Sequence, residues 1–335
     1  MTRRPTLRES RLVHAAVGAS MLAIPASAAA LADTPHSAAA RSQGATGQSG
    51  STGAIQATAK SHRIRFGRDV VLTGHASSQA GQTVVLDFAG AGSSNWRQLA
   101  SSKVRRDGGF RLAAPLRRSG SVKVTSASQP SSSPVIPLAL AASSSSNTGS
   151  STPERIAVAA AIHVPARSIN VLGGQAANVR GKLLPGAAGR RVRLQGLRSG
   201  RWATLAVGRT GVRGGFTLHY LPSGIGQQRL RVRFAGDRWN AGTSGGAGTL
   251  TVYRQSAASW YNDGGNTACG FHAYYGVANV SLPCGTKVSF MYGGRSVTAV
   301  VDDRGPYVGG RVWDLNQNTA AALGFGGVDN VWSSI

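Results

Sequence analysis

The sequence predicts an all-β protein of three modules: two sandwich-sized units that repeat one pattern, then a third strand-rich unit at the C-terminus. Three observations predict this. Short alternating apolar segments recur along the chain between Gly-rich turns. Two stretches match each other in the order and spacing of their Trp, Leu and Gly-Gly-Phe residues. Finally, one short run, Thr319 to Leu323, reads as helix, and Gly324 stops it.

The repeat is legible residue by residue. AGQTVVLDF (Ala80 to Phe88), Trp96, Leu99 and GGFRL (Gly108 to Leu112) are followed later by AGRRVRLQG (Ala188 to Gly196), Trp202, Leu205 and GGFTL (Gly214 to Leu218). Trp96 to Phe110 and Trp202 to Phe216 both span fourteen residues. Strands are expected at Val70–Leu72, Thr83–Phe88 and Ser121–Thr125 in the first copy, and at Arg191–Leu194, Phe216–His219 and Arg229–Phe234 in the second. At about 90 to 100 residues, each copy suits an immunoglobulin-like sandwich, and both resemble the Ig-like repeats of bacterial surface proteins. Neither contains a catalytic constellation, so both are read as spacers or wall tethers. Trp96 and Trp202 are read as core tryptophans, with sugar stacking as the alternative.

Composition marks the boundaries. Residues 1–32 read as an export signal: Arg3, Arg4, Arg8 and Arg11 precede a small apolar stretch, and Ala30-Leu31-Ala32 offers a cleavage site. Thr2 to Arg8 is a loose twin-arginine match, so the export route stays open. The apolar stretch is too short to span a membrane. No cysteine stands near the cleavage site, so no lipid anchor is expected. Residues 33–53 read as a flexible linker, 54–141 as the first repeat, 142–153 as a Ser-rich linker, 154–254 as the second repeat, and 257–335 as the third module. The two cysteines, Cys269 and Cys284, both fall in that third module and are expected to pair in an exported protein. Closing that loop is worth about 3 kcal/mol in the chain-entropy model. Two cysteines without clustered histidines cannot complete a zinc shell, so no metal or cofactor is expected.

In the third module, Tyr292-Gly293-Gly294-Arg295 joins two strand patterns as a hairpin. Asp302 and Asp303 end the second of these strands, and Gly305-Pro306 turns immediately afterwards, which would present a carboxylate at a rim. Asp302 reads as a solvated neighbour of Asp303. Asp314 follows Trp313 on a strand-like RVWDL segment, eleven residues after Asp303. Alternation places Trp313 in the core if Asp314 faces a groove. Trp260 and Tyr307 are the candidate sugar-stacking faces, since a ring offers an apolar surface to a pyranose. Arg304 is a further candidate contact.

The run ASWY, TACG, SLPCGTKV, VDDRGPY, RVWDL resembles the C-terminal domain of the rare lipoprotein A family of septal ring lytic transglycosylases and, more distantly, the first domain of expansins. The resemblance covers about a quarter of the chain. It implies a six-stranded double-psi β-barrel whose groove holds polysaccharide, usually peptidoglycan. In the lytic family the Asp of the DRGP motif does the proton-donating work together with a His; these positions are Asp303 and Asn279 here, so the resemblance implies Asp303 as the acid, and the histidine is replaced. His272 lies seven residues earlier. The expansin resemblance implies a groove of Ser259 (a Thr in that family), Asp303 and Asp314. The expected function is binding and remodelling of cell-wall glycan. A lytic transglycosylase, a non-catalytic loosening module and a protein-interaction barrel are the alternatives.

The formal net charge is +25. From Ala257 onward, four basic side chains stand against five acidic ones, which leaves about +26 on the preceding residues. A basic chain ordinarily suggests nucleic acid. With an export signal and a secreted or wall location, the expected partners are instead peptidoglycan and anionic wall polymers such as teichoic-type phosphates. Arginine greatly outnumbers lysine, so GC-rich coding bias is an equal alternative source of the charge.

Overall fold

The computed structural model describes residues 55–127, 149–165 and 167–335. The predicted export signal, the first linker and most of the Ser-rich linker lie outside the described residues. The regular structure of the described residues is almost entirely strand, as predicted.

The first sandwich comprises β1 (Gln56–Ala59), β2 (Arg63–Arg65), β3 (Asp69–His75), β4 (Thr83–Gly90), β5 (Arg97–Lys103), β6 (Gly109–Pro115), β7 (Gly120–Ser126) and β8 (Glu154–Ala159). One sheet has the order β1-β3-β6; the other runs β5-β4-β7-β8-β2, with β2 parallel to β8. The second contains β9 (Ala161–His163), β10 (Ser168–Leu172), β11 (Ala177–Leu184), β12 (Arg191–Arg198), β13 (Arg201–Arg209), β14 (Gly215–Tyr220), β15 (Gly226–Gly236) and β16 (Ala241–Tyr261). Its pairings are the same: β9-β11-β14 in one sheet and β13-β12-β15-β16-β10 in the other, with β10 parallel to β16. Each predicted repeat strand lies inside an observed one.

The shared motif has a mechanical reason. Gly108 and Gly214 both take positive φ, at 81° and 79°, a conformation that L side chains avoid. At Gly214 a Cβ would also stand 2.2 Å from the Leu183 carbonyl oxygen. The turn then delivers Phe110 and Phe216 into the two cores. The structure differs from the sequence reading at β8. Ile156 and Val158 belong to the first core, and β8 pairs with β7. The end of the Ser-rich segment is also packed: Ser151 Oγ accepts from the Val124 N–H at 2.9 Å. Trp96 and Trp202 are not core residues either. Both are part-exposed and lie under cations, with Lys123 Nζ 4.5 Å from the Trp96 ring and Arg231 Cζ 4.2 Å from the Trp202 ring.

The third core forms around β17 (Gly276–Ala278), β18 (Lys287–Tyr292), β19 (Arg295–Asp303), β20 (Trp313–Asn316), α1 (Gln317–Leu323) and β21 (Asp329–Ser333), together with the far end of β16. The order β20-β17-β19-β18-β21-β16 closes through a parallel β16–β20 pairing, so six strands form a barrel without a free edge. Asn316 caps α1 by accepting from the Thr319 N–H, and Gly324 ends the helix in the left-handed conformation. No linker separates the second sandwich from the barrel: β16 carries Leu250 and Val252 into one core and Ala258 into the other.

Asn240, fully buried in the β15–β16 hairpin, ties the two sandwiches together. Its Nδ2 donates to the Arg117 and Val158 carbonyls at 3.0 and 3.3 Å, and its Oδ1 accepts from Arg190 at 3.1 Å. Asn240→Ala should destabilise the protein by about 1–3 kcal/mol, the penalty of stranding buried polar groups; thermal unfolding against the wild type measures it.

Candidate functional site

Four neighbouring strands set four residues in one row. Ser259 of β16 stands opposite Asp314 of β20, Asp314 opposite Ala278 of β17, and Ala278 opposite Asp303 of β19. Directly opposed residues project to the same side of a sheet. The residues beside them, Ala258, Val277 and Trp313, are fully buried in the barrel, so the row lies on the outer side. Two strand spacings, about 9–10 Å, separate the Asp314 and Asp303 backbones. The residue between them, Ala278, is buried, as is Ser259, so Asp314 and Asp303 are the part-exposed members of the row.

The carboxylates are held differently. Ser259 Oγ donates to Asp314 Oδ1 at 2.8 Å. Burial pushes the Asp314 carboxyl above its ordinary range; the Ser259 hydrogen bond and the Arg311 charge oppose that, and the Asp303 charge adds to it. Asp303 Oδ1 accepts from the N–H groups of Ala268 and Arg304, both at 2.8 Å. Its Oδ2 receives no hydrogen bond among the described residues. Next to it, the buried Tyr261 hydroxyl has no partner in hydrogen-bond geometry. Burial first, then the Asp303 charge, drive that phenol well above its usual value.

The segment 262–275 roofs this side of the barrel, and other carboxylates hold it down. Contrary to the sequence reading, Asp302 is not solvated but fully buried. It accepts from Ala273 N–H at 2.8 Å and Val277 N–H at 3.1 Å. Burial raises its pKa, with those two amides and the His272 charge acting the other way. The room for Asp302 comes from Gly276, where a Cβ would sit 2.3 Å from Oδ2. Asp263, which sequence reasoning passed over, has a buried side chain. It accepts from His272 Nε2 at 2.7 Å and Asn316 Nδ2 at 3.2 Å. Burial works against its charge, but the His272, Gly265 and Asn316 hydrogen bonds outweigh it, and the pKa is lowered. No residue spacing pointed to Asp263, because its partners come from the roof and from the helix cap.

Several predicted residues serve the frame. Asn279, at the position of the family's histidine, is buried. Its Oδ1 accepts from the Ser281 and Leu282 N–H groups at 3.1 and 2.9 Å, and its Nδ2 donates to the Val312 carbonyl at 3.1 Å. Arg304 is a brace: Nη1 donates to the carbonyls of Asn279 and Leu282, and Nη2 lies 3.0 Å from Cys284 Sγ. Cys269 and Cys284 are disulfide-bonded, with Cα atoms 5.8 Å apart. Trp313 is fully buried against Phe290. Trp260 is half-exposed, but strand alternation turns it away from the Ser259 row. Tyr307 is 81% exposed in the loop after Asp303.

The sequence profile of the lytic transglycolase family matches residues 253–331. The third module is a rare lipoprotein A-like double-psi β-barrel. Two curated relatives align with the C-terminal region. The probable endolytic peptidoglycan transglycosylase RlpA of Synechocystis sp. is 39% identical over 95 residues, covering 25% of this chain and 30% of the relative. The protein of the same description from Aquifex aeolicus is 43% identical over 81 residues, covering 22% and 35%. The chain therefore spans about a third of the length of these relatives, and the likeness is confined to the rare lipoprotein A-like barrel.

Two outcomes are expected of this barrel. Thiol labelling of the denatured, unreduced protein should find no free cysteine; two reactive thiols would contradict the bond. Asp314 has a raised folded pKa, so its contribution to stability is full below the ordinary carboxylate value and is lost as pH rises through the folded value. Melting temperatures of Asp314→Asn relative to wild type should therefore climb as pH increases from about 3 to 7. A pH-independent difference would show that the burial of this carboxyl has no thermodynamic weight.

Proposed function

We propose that the barrel binds peptidoglycan glycan strands along the Ser259–Asp314–Ala278–Asp303 row and cleaves them by transglycosylation, as part of an exported wall-remodelling protein. The observation that carries this reading is the pair of carboxylates on one outward row with a single alanine between them. A polymer laid across the row would meet its two part-exposed carboxylates. Breaking a glycosidic bond needs a proton for the bridging oxygen and negative charge near the cation that develops at the sugar. Asp314, whose burial favours the protonated form, supplies the proton. Asp303, part-exposed on the same row, supports the positive charge. The sugar's own hydroxyl then attacks the anomeric carbon and gives its proton to the carboxylate left on Asp314, so no second carboxylate has to activate water. These roles reverse the assignment that the resemblance implies for Asp303. His272, oriented by Asp263, is the imidazole that the chain places beside this side of the barrel.

The family match and the names of the aligned relatives support a peptidoglycan substrate. The disulfide supports an oxidising compartment, consistent with the N-terminal signal pattern. Under this reading the two sandwiches are Ig-like spacers that hold the barrel at the wall. The strand orders β1-β3-β6 and β5-β4-β7-β8-β2, repeated in the second copy, support that assignment. One observation favours a second reading, a non-catalytic expansin-like binder: Asn279 cannot carry a proton, and its side chain is committed to the backbone.

Digestion of purified sacculi, followed by mass analysis for anhydro-muropeptides, separates the two. Cleavage should yield that product, and Asp314→Asn should lower its rate by at least about 10²-fold, the usual weight of a general acid. Asp303→Asn should abolish product while leaving the melting temperature within a few degrees. Glycan binding without any new muropeptide would establish the binder. Full cleavage by either variant would remove the row from the chemistry.

A further inference from the structure

The two sandwiches follow one plan, so each serves as a control for the other. On β4 of the first, the outward positions are Thr83, Val85 and Asp87, opposed on β7 by Thr125 (facing Val85) and Lys123 (facing Asp87). Asp87 offsets Lys123 and accepts from Thr125 Oγ1 at 2.7 Å. The same positions in the second sandwich are Arg191, Arg193 and Gln195 on β12, with Arg233 facing Arg193 and Arg231 facing Gln195. On the other flank, Thr83 faces Lys103, whereas Arg191 faces Arg209. Their neighbours Val192, Leu194, Val232 and Phe234 are core residues, so these arginines lie on the outer side of the sheet.

Like charges directly opposed across a sheet destabilise it, and the first sandwich builds the same strands without them. The fold therefore does not require these arginines. Coding bias acts on both copies alike and does not explain why one carries an acid here and the other does not. Nor does the second copy compensate. Between residues 160 and 252 the one acidic residue is Asp237, and buried Arg190 holds it at 2.8 and 3.3 Å. No ion pair reaches Arg191, Arg193 or Arg233 among the described residues. The crowding is felt at Arg231, whose pKa is lowered by burial and then by the Arg233 charge. A concavity of about 580 Å³, lined by Arg191, Arg193, Arg233, Arg238 and Trp239 among others, opens at one end of the array.

We propose that this face of the second sandwich, centred on Arg191, Arg193 and Arg233, binds a phosphodiester polymer of the wall, of polyol-phosphate type, and that the first sandwich lacks the site. Guanidinium forks match phosphate oxygens two at a time. Neighbouring strands about 4.8 Å apart and alternate residues about 6.6 Å apart spread the array over several successive phosphates rather than one small anion. Base stacking would need an open ring, but Arg231 covers Trp202 at 4.2 Å, and Arg238 covers Trp239 at 4.5 Å. The choice of a wall polymer rests on the wall reading above; the binding itself is independent of cleavage by the barrel.

The test is binding of the full chain to poly(glycerol phosphate) across a salt series, with inorganic phosphate and duplex DNA as competitors at equal phosphate. Arg191→Thr, Arg193→Val and Arg233→Thr together install the first sandwich's residues and should preserve the melting temperature. The triple variant should bind at least about tenfold more weakly at about 0.15 M salt, with a log–log salt slope smaller by about 2. The same three positions changed to Gln should reproduce the loss should the first variant misfold. Changing Arg180, Arg198 and Arg213 to Gln removes equal charge elsewhere and should alter binding by less than about twofold, the change expected away from the contact. Undiminished binding by the central variants, or an equal loss in the control, would overturn the site. Stronger competition by DNA or by inorganic phosphate would overturn the ligand. Asp303→Asn should bind the polymer as wild type does, so failure of the cleavage reading and failure of this one are separately visible.

Discussion

A carboxylate taken out of water must be given hydrogen bonds, and Asp302 obtains them from Ala273 and Val277. That requirement organises the outer side of the barrel. It pulls the 262–275 segment down onto β17 and β19, over the space left by Gly276. Cys269 is then placed within reach of Cys284, and the Ala268 N–H within reach of Asp303. From the other side, Asn316 joins the α1 cap to the same segment through Asp263 and the Ala273 and Tyr274 carbonyls. The catalytic reading of Asp303 and Asp314 thus depends on a neighbour that touches no substrate.

Much of this architecture could be read before the structure. Gly-Gly-Phe identified the two copies because a left-handed turn and a buried ring leave few alternatives at those positions. The hairpin at Gly293-Gly294 and the short helix ended by Gly324 were legible for the same reason: each depends on local backbone conformation. What escaped was set by distant partners. β8 follows a Ser-rich stretch and reads as the start of a new unit, yet its Ile156 and Val158 complete the first core. Alternation alone could not reveal that Asp302 is buried beneath a roof, since a bulge between Val277 and Ala278 shifts the register there. Arg304 and Asn279 stood in motif positions, but which backbone groups they would brace is a tertiary matter. Trp96 and Trp202 were misread as core because nothing local indicates that Lys123 and Arg231 lie over them.

The duplicated sandwiches show how a fold tolerates divergence. Inward positions remain apolar in both copies: Val84 and Leu86 in one, Val192 and Leu194 in the other. The outward positions between them differ: Thr, Val and Asp in the first, Arg, Arg and Gln in the second. Packing constrains only one side of a strand, so the other was free to take up a different chemistry.

β16, a single strand with a bulge at Ala247-Gly248, makes the protein a gauge of length. Ser244, opposite Arg233, and Ser259, in the carboxylate row, lie on one strand, and fifteen residues of strand measure at most about 50 Å. With no hinge between the second sandwich and the barrel, a polymer gripped at the arginine face would fix the depth at which the barrel meets a glycan. Material nearer than that reach or beyond it would be passed over, so position in the layer, as much as chemical identity, would decide which strands are presented to Asp303 and Asp314.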